Sequence, residues 1–468
     1  MADQAAEAPA AAAQPAAANP AAASAAGGVE PLSEGYRRYA LWLLFVVYVF
    51  NFIDRQIVTI LAEPIKQELG IADWQLGLMT GTAFALFYCT LGIPIARLAE
   101  RKDRRLIIGL SVAAWSAFTA LCGLAQNFTQ LVLARIGVGV GEAGCTPPAH
   151  SLIADYTPKE QRASAMALYS MGNPVGGLIG VVTGGLVADA FGWRTAFLLV
   201  GLPGILLAML VLATLIEPRT RMAAAIARGA MPARPAAPQT SLWDVLRLLW
   251  HKRTFWYMAF GVSIVAFVGY GHAPFGASFF LRVHGAEIAA LAAPLGLGPI
   301  GFVGLAMGLI LGIAAGIGVF LGGVISDRYG AQDLRAYMGI PAIAILVSLP
   351  VYTTAMLLPT FLPVIPLLAL NAILVSLWQG PVYATVQNIA PLHVRATAAS
   401  IFLFIANLIG LGLGPVLVGV ASDVLSGPFG LGPAEGVRWA LIGSQVLVVP
   451  AFWCFWMARR TIREEMEE

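Results

Sequence analysis

One short charged motif constrains this chain more than any other feature, because it occurs twice, each time directly after a long apolar run. It appears as Ala96-Arg-Leu-Ala-Glu100-Arg101-Lys-Asp-Arg104-Arg105 and again as Gly323-Val-Ile-Ser-Asp327-Arg328-Tyr-Gly330. The acids Glu100 and Asp327 are separated by close to half of the 468-residue chain. Many secondary transporters are built from such internal repeats. The repeat therefore predicts two related helical bundles and favours transport.

The composition requires lipid as the solvent of most of the chain. Hydrophobic residues make up 59% and charged residues 11%, against about 25% charged residues in ordinary soluble domains. Apolar runs of membrane-spanning length are predicted near residues 39–61, 76–96, 106–126, 130–154, 163–188, 194–216, 255–283, 299–326, 336–358, 361–390, 396–422 and 437–457. The runs are continuous and do not alternate with period two, so they indicate helices rather than barrel strands. We predict an all-α membrane protein with twelve transmembrane helices in two pseudo-symmetric six-helix bundles.

The basic residues predict the orientation, because cytoplasmic loops carry an excess of Lys and Arg. With both termini inside, 22 of the 28 Lys and Arg residues fall in cytoplasmic segments. The net charge of +3 thus reflects topology, and no nucleic-acid partner is expected. The use of 24 Arg against 4 Lys hints at a bacterial genome, so we expect a multi-pass protein of the bacterial inner (plasma) membrane.

The expected domains follow from these spans. Residues 1–35 are predicted to be a disordered cytoplasmic tail, since residues 1–28 are nearly all Ala, Pro, Gln and Gly. An N-terminal bundle over 36–216 and a C-terminal bundle over 254–458 are joined by a cytoplasmic linker over 217–253. A short amphipathic helix is expected to open at Ser241 in that linker, and residues 459–468 are expected to be a second tail.

A second internal match supports the duplication. Pro158-Lys-Glu-Gln-Arg162-Ala-Ser-Ala before the fifth span is similar to Pro391-Leu-His-Val-Arg395-Ala-Thr-Ala before the eleventh, and its offset along the chain is nearly that of the charged loops. Both spans then run through glycines to an acid, Asp189 in one and Asp423 in the other.

With the two charged loops and the Gly192-Trp193-Arg194-Thr-Ala-Phe197 start of the sixth span, the chain resembles the major facilitator superfamily. The resemblance implies that each loop acid latches the cytoplasmic side by lying against a helix start in the opposite half, where a carboxylate is favoured. The expected cytoplasmic gate pairs Glu100 with the region of Arg395 and Asp327 with the region of Arg162. It also pairs Asp155 with Arg101, and it includes Arg328 of the second loop. The alternative is that the basic loop residues only set the topology.

Four ionisable residues fall inside predicted spans: Asp54 and Arg55 in the first, Arg135 and Glu142 in the fourth. Each costs about 2.5 to 3.5 kcal/mol at a helix centre, so each needs a partner or a wet cavity. From the rise of an α-helix per residue, Asp54 and Arg135 lie at a similar depth, and we predict an ion pair between them. The alternative is a purely structural ion-pair network between the two spans.

The first span carries a polar stripe that we expect to line a central cavity. Tyr48, Asn51, Asp54 and Arg55 follow the i, i+3, i+4 spacing of one helix face. Glu142 shares the face of Arg135, two turns further along. Burial and a nearby Arg act on such a carboxylate in opposite directions, so either acid is a candidate site for a coupling proton. Pro147 and Pro148 are expected to kink the fourth span.

The same residues narrow the resemblance. Asn51-Phe-Ile-Asp54-Arg55 together with Arg135-Ile-Gly-Val-Gly-Val-Gly-Glu142-Ala looks like the spinster branch, whose members move sphingolipids and lysophospholipids. This resemblance implies an amphiphilic lipid as the substrate. In the second half, Gln379 and Tyr383 lie four residues apart on one face, beside Trp378 and Pro381. They are the candidates for the opposite cavity wall.

Other classes fit less well. No Ser/His/Asp set, metal-ligand pair or carboxylate cluster indicates a membrane enzyme, and the four cysteines are expected to be buried hydrophobes without metal or disulfide. Duplicated halves with charged latches favour alternating access over a channel. We expect a monomer without cofactor, with the proton as the candidate coupling ion. The alternative function is a proton-coupled carrier of small organic anions or drugs, with Arg55 and Arg135 neutralising the substrate.

Overall fold

The computed structural model describes residues 32–158, 161–220, 242–391 and 394–466. Within these ranges every regular element is a helix. Residues 1–31 of the predicted tail and residues 221–241 of the linker lie outside the described residues. Eleven stretches of the described part are long and apolar enough to cross a membrane, and the helix pair Phe128–Glu142 and Thr146–Tyr156 occupies the place of the remaining expected span. The predicted all-helical membrane fold is therefore confirmed.

The first bundle holds six spans. They are Glu34–Ile60, Asp73–Ala99, Arg104–Cys122, the pair Phe128–Glu142 and Thr146–Tyr156, the pair Arg162–Ser170 and Gly172–Phe191, and Trp193–Thr214. The fourth span is broken at residues 143–145, directly before the two prolines, as their ring geometry requires. A single residue, Gly192, joins the fifth and sixth spans at φ 81°, a conformation that glycine adopts without steric cost.

The second bundle holds the other six spans. They are Arg253–Val283, Pro299–Gly330, Ala336–Leu357, Val364–Ile389, Arg395–Ser426 and Gly432–Met466. Short helices Ala62–Leu69 and Gly285–Ala292 follow the first and seventh spans at equivalent places in the two halves. With an even number of spans, both described chain ends lie on one side of the bundle pair. We call this the terminus side, and the opposite side the far side.

Glycines allow equivalent helices to touch in both halves. A Cβ on Gly180 of the fifth span would lie 2.9 Å from the Ile53 backbone of the first span. A Cβ on Gly410 of the eleventh span would lie 2.9 Å from the Ala266 carbonyl carbon of the seventh. Small residues let helix backbones approach this closely in membranes. The first and fifth spans therefore pack as the seventh and eleventh do, which is the expected pseudo-symmetry.

Two predicted boundaries change. The first helix begins at Glu34, and the last continues to Met466, so the tail expected from residue 459 is helical up to that point. Its last turns combine basic and acidic residues with buried Ala458 and Ile462, which an apolar-run criterion misses. In the linker, helix Leu242–Trp250 buries Val245 and Leu249 and exposes both of its tryptophans.

Candidate substrate and coupling site

The polar stripe of the first span faces the fourth and fifth spans. Asn51 and Asp54 are 2% and 1% exposed, and Arg55 keeps 17% of its side chain exposed. Tyr48 points to the fifth span, where its ring stacks on Tyr169 with centroids 4.2 Å apart. The stripe therefore divides: Tyr48 packs against a helix, and the three residues after it carry polar groups into the bundle.

The principal contact of the site is an ion pair between Arg55 and Glu142. Arg55 Nε donates to Glu142 Oε2 at 2.5 Å, and the carboxylate side chain is fully buried. Three aromatic rings surround the guanidinium, with centroids 4.5, 5.1 and 5.3 Å from its carbon: Tyr88, Phe84 and Phe52. Ring faces attract cations most strongly where water is excluded. Arg55 is thus stabilised by one carboxylate and by rings from two helices.

The predicted Asp54–Arg135 pair is wrong: among the described residues no ion pair within 4.0 Å joins them. Side chains on a helix lean toward its N-terminus. The first span starts on the terminus side and the fourth on the far side, so side chains at one depth lean apart. The same tilt brings Arg55 and Glu142 together, although Glu142 lies about 10 Å deeper along its helix than Arg135.

Several buried polar atoms around this pair have no hydrogen-bond partner within the described part of the chain. They are Asn51 Oδ1, Asp54 Oδ1, Arg135 Nε and Nη1, and Glu142 Oε1. Arg135 is 1% exposed, and its guanidinium carbon lies 5.4 Å from the centroid of the Phe84 ring. Arg135 attracts the charge of Asp54, while Glu142 repels it. A proton that enters this cluster at either acid therefore changes the electrostatic balance at the other.

The second bundle contributes the aromatic residues Tyr270 and Tyr383. Tyr270 of the seventh span packs against the apolar core of the first bundle, and its hydroxyl donates to Asn407 Oδ1 at 3.5 Å. Tyr383 is 38% exposed and lies edge-on to Trp378, with centroids 5.5 Å apart. Gln379, the other sequence candidate, is half-buried one turn before Tyr383. Tyr270 thus reaches from this half to the first bundle, and the sequence alone did not rank it above other polar residues.

A second charged cluster lies on the terminus side and was missed in the sequence. Arg104 is fully buried and donates through its backbone N and Nε to Glu217 Oε2, both at 2.9 Å, and through Nη2 to the other carboxylate oxygen. Its Nη1 bonds Ser151 Oγ and Asp155 Oδ2, each at 2.7 Å. Asp155 therefore pairs with Arg104; the side chain of Arg101, its expected partner, lies outside the described residues. The sequence feature that could have identified Glu217 is its position as a single acid directly after the sixth apolar run.

The other expected gate residues bond within their own halves. Arg162 Nε donates to the Thr157 carbonyl at 3.3 Å, and Arg395 Nε donates to the Ala390 carbonyl at 3.1 Å. Asp327 accepts from the Tyr337 hydroxyl at 3.0 Å. Arg328 is exposed, and the Glu100 side chain lies outside the described residues. No described contact thus joins Asp327 to Arg162 in this structure.

The described hydrogen bonds and ion pairs between the two bundles lie instead in the far-side half of the spans. They join the second span and the short helix before it to the seventh and eleventh spans, and the fifth span to the eighth. The bundles are therefore tied together on the far side, and no described polar contact ties them on the terminus side.

Known proteins with similar sequences are transporters. A 30% identical relative from Mycolicibacterium smegmatis, an MFS-type efflux pump, aligns over 92% of this chain and 94% of its own length. Protein spinster homolog 1 of Xenopus tropicalis is 27% identical over 81% of this chain and 72% of its own length. A shorter match, 34% identical over 36% of this chain and 37% of the relative, is to a "Probable L-galactonate transporter" of Escherichia coli.

A solved structure matches the fold over nearly the whole chain. It is a crystal structure of a bacterial homologue of the human lysosomal transporter Spinster, in an inward-facing and unoccupied conformation. It is 33% identical, with a TM-score of 0.80, and the match covers 93% of this chain and 99% of that one. The sequence model of the Major Facilitator Superfamily, a protein family, matches residues 44–415 of this chain. The chain belongs to the major facilitator superfamily and is a transporter that resembles the spinster branch.

Proposed function

We propose that this transporter is a secondary active carrier that works by alternating access and moves an amphiphilic lipid such as a sphingolipid or lysophospholipid. The observation that carries the proposal is the Arg55–Glu142 pair at 2.5 Å, enclosed by three aromatic rings. An amphiphile has a charged head and an apolar tail. The pair offers a charged partner for the head, and the aromatic wall offers apolar contact for the tail.

The exposure of Arg55 supports a direct role in substrate binding. Its side chain is 17% exposed, whereas the Glu142 side chain is fully buried. Tyr270 of the opposite bundle packs against the apolar core of the first bundle. An anionic headgroup can therefore approach Arg55 between the bundles, and a charge-assisted bond to the guanidinium is stronger than a neutral one. Arg135 is 1% exposed and is better placed to hold the acids than to meet substrate.

The transport step is proposed to be coupled to a proton held at Glu142 or Asp54. Both carboxylates are buried and repel each other, so adding a proton to one removes a costly second negative charge. Protonation of Glu142 would also release Arg55, because a neutral acid attracts a guanidinium less strongly. A proton on Glu142 would then free the guanidinium for the headgroup, so proton uptake and headgroup binding would favour each other.

The orientation proposed for the chain places both termini in the cytoplasm of a bacterial cell, with the protein in the inner membrane as a monomer. The segments predicted from the sequence to be cytoplasmic hold 22 of the 28 Lys and Arg residues, as the positive-inside rule requires. The far side would then be the external side.

The second candidate is a proton-coupled carrier of small organic anions or drugs. The similarity to an efflux pump and to a "Probable L-galactonate transporter" favours it, and Arg55 would neutralise a carboxylate as readily as a phosphate. The two candidates differ in what surrounds the charge: a sugar acid needs further polar partners, whereas a lipid needs an apolar wall.

Counterflow in proteoliposomes tests the proposal. Vesicles are preloaded with unlabelled lysophosphatidylcholine, L-galactonate or neither, and uptake of the matching labelled compound is followed with protein-free vesicles as the control. We expect exchange of the lysolipid and none of L-galactonate. Exchange of L-galactonate alone would favour the second candidate. Uptake of label that does not depend on preloading would contradict a carrier and favour a channel, because a channel does not couple the entry of one molecule to the exit of another.

A further inference from the structure

The far side carries a contact in which a carboxylate of one bundle caps a helix of the other. Asp189, at the end of the fifth span, accepts hydrogen bonds from the backbone N–H groups of Ile300 and Gly301 at 3.3 and 2.5 Å. These are the first free N–H groups of the eighth span, because the helix opens with Pro299. Such groups lack partners within their own helix, and a carboxylate there also meets the positive end of the helix dipole.

The same contact occurs in the other half of the repeat. Asp423, at the end of the eleventh span, accepts from the backbone N–H groups of Asp73 and Trp74 at 3.0 and 2.8 Å. These two residues open the second span. The two aspartates are separated by about half of the chain, and so are the two pairs of capped residues. This capping contact thus repeats at nearly the same offset as the charged loops on the other side.

Glycines in the carboxylate-bearing spans bring the helices close enough for these bonds. A Cβ on Gly185 would lie 2.7 Å from the Ile300 carbonyl oxygen, and one on Gly419 would lie 2.9 Å from the Trp74 Cα. Each glycine precedes its aspartate by about one helical turn. A side chain at either position would push the capped helix away from its carboxylate.

The two copies differ in what supports them. The Asp73 carboxylate, 1% exposed, accepts from Arg282 at 2.8 Å, Lys66 at 2.6 Å and Ser422 at 2.7 Å. Arg282 also pairs with Glu63 at 2.7 Å. Arg282 and Ser422 belong to the second bundle, so these bonds also cross between the halves. Around Asp189, the described residues contribute the two backbone bonds and no ion pair.

We propose that Asp189 and Asp423 form a duplicated latch, with one arm at each aspartate, that holds the far side closed. Release of the Asp189 arm governs the opening of that side. When the far side opens, the eighth span must leave the fifth and the second must leave the eleventh. Loss of Asp423 leaves the Arg282 and Ser422 bonds to Asp73 in place, whereas loss of Asp189 removes the described polar link between its two helices. The inference rests on the alternating access proposed above and does not depend on the substrate.

Distance measurements between spin labels test the latch without any substrate. The labels are placed by Leu124→Cys and Phe429→Cys on far-side turns, where the native side chains are 60% and 70% exposed, in a full-length chain whose native cysteines are replaced by Ala. A second pair, Lys102→Cys and Gln332→Cys, reports the terminus side. Pulsed electron–electron double resonance in lipid nanodiscs then gives the populations of open and closed forms on each side.

The variants are Asp189→Asn and Asp423→Asn, with Glu435→Gln as the control. In asparagine one acceptor oxygen becomes an NH₂ group that faces a backbone N–H, so one bond and the charge are lost. Glu435 is a far-side acid that pairs with Arg438 inside its own helix. We expect Asp189→Asn to raise the ratio of far-side-open to closed forms about tenfold, equivalent to ~1.4 kcal/mol. Asp423→Asn should raise it less, and Glu435→Gln should leave it unchanged.

The terminus-side pair separates opening from misfolding. A population that opens on the far side lengthens the first distance and shortens the second, whereas a misfolded protein broadens both. If Asp189→Asn does not fold, Asp189→Ser, which keeps an acceptor without the charge, provides the same measurement. Unchanged distances in both folded variants, or an equal shift in the control, would overturn the latch. Equal shifts in the two variants would overturn the assigned role of the Asp189 arm.

The distance experiment and the counterflow experiment fail independently. A protein that exchanges L-galactonate instead of lysolipid would still show the far-side shift. A protein that exchanges lysolipid without any shift in Asp189→Asn would retain its proposed substrate and lose the latch.

Discussion

Replacing Arg104 should destabilise the first bundle more than replacing any neighbouring basic residue. Arg104 is fully buried and bonds Glu217, Ser151 and Asp155 with all three guanidinium nitrogens. Arg104→Met fills much of the same volume but leaves the Glu217 carboxylate, whose side chain is 3% exposed, without its cation. Breaking a buried pair on one side costs about 3 to 5 kcal/mol. The adjacent Arg105 is 34% exposed and lies 3.4 Å from Asp103, a type of pair worth about 0 to 1 kcal/mol.

Thermal unfolding of the purified protein in detergent, followed by intrinsic tryptophan fluorescence, measures the difference. Arg104→Met is expected to lower the unfolding temperature clearly, and Arg105→Met to leave it close to that of the unmodified protein. The double variant Arg104→Met/Glu217→Leu should recover part of the loss, because replacing both partners by apolar groups removes the stranded charge. Equal losses in the two single variants, or no recovery in the double variant, would show that the cluster does not act as a buried ion pair.

The remaining predictions concern the central site and the packing of the first bundle. Arg55→Ala should abolish counterflow in a protein that still folds, with a lowered unfolding temperature because the buried Glu142 carboxylate loses its cation; normal exchange would remove Arg55 from the binding site. Glu142→Gln, which mimics a protonated acid, should abolish uptake driven by a pH gradient and retain exchange at equal pH, with Asp54→Asn tested in parallel. If neither changes the pH dependence, the proton is not handled at these acids. Gly180→Ala should cost about 1 to 3 kcal/mol of stability, because its Cβ would lie 2.9 Å from the Ile53 backbone. Gly177→Ala should be neutral, since its Cβ would lie 3.7 Å from a flexible Gln56 carbon. Equal unfolding temperatures of the two variants would contradict this packing.

The number, order and symmetry of the spans were available from the sequence. Continuous apolar runs of membrane length can satisfy their backbone groups only as helices in lipid, and two repeats at nearly equal offsets, each close to half of the chain, defined the two halves. The fourth span illustrates the limit of this argument. Its apolar run is continuous, and only the pair of prolines indicated the break at residues 143–145.

The charged residues of the candidate site were also found in the sequence, but their pairing was not. Asp54 and Arg135 lie at matching depths on antiparallel helices, and depth alone predicts that they meet. Because side chains lean toward the N-terminus of their own helix, the antiparallel arrangement separates that pair and joins Arg55 to Glu142 at 2.5 Å. The cost of burying a charge is local and can be read from composition, whereas its partner depends on the tilt and rotation of two helices.

The sequence by itself determined that this chain is a duplicated helical membrane protein with ionisable groups inside one bundle, because lipid penalises any other arrangement of so apolar a chain. Only the tertiary structure decided that Arg104 is bound to Glu217 and that Asp189 and Asp423 cap helices of the opposite bundle. These contacts join residues that are far apart along the chain. They arise from where helix ends meet in space, and no local pattern in the sequence records which ends those are.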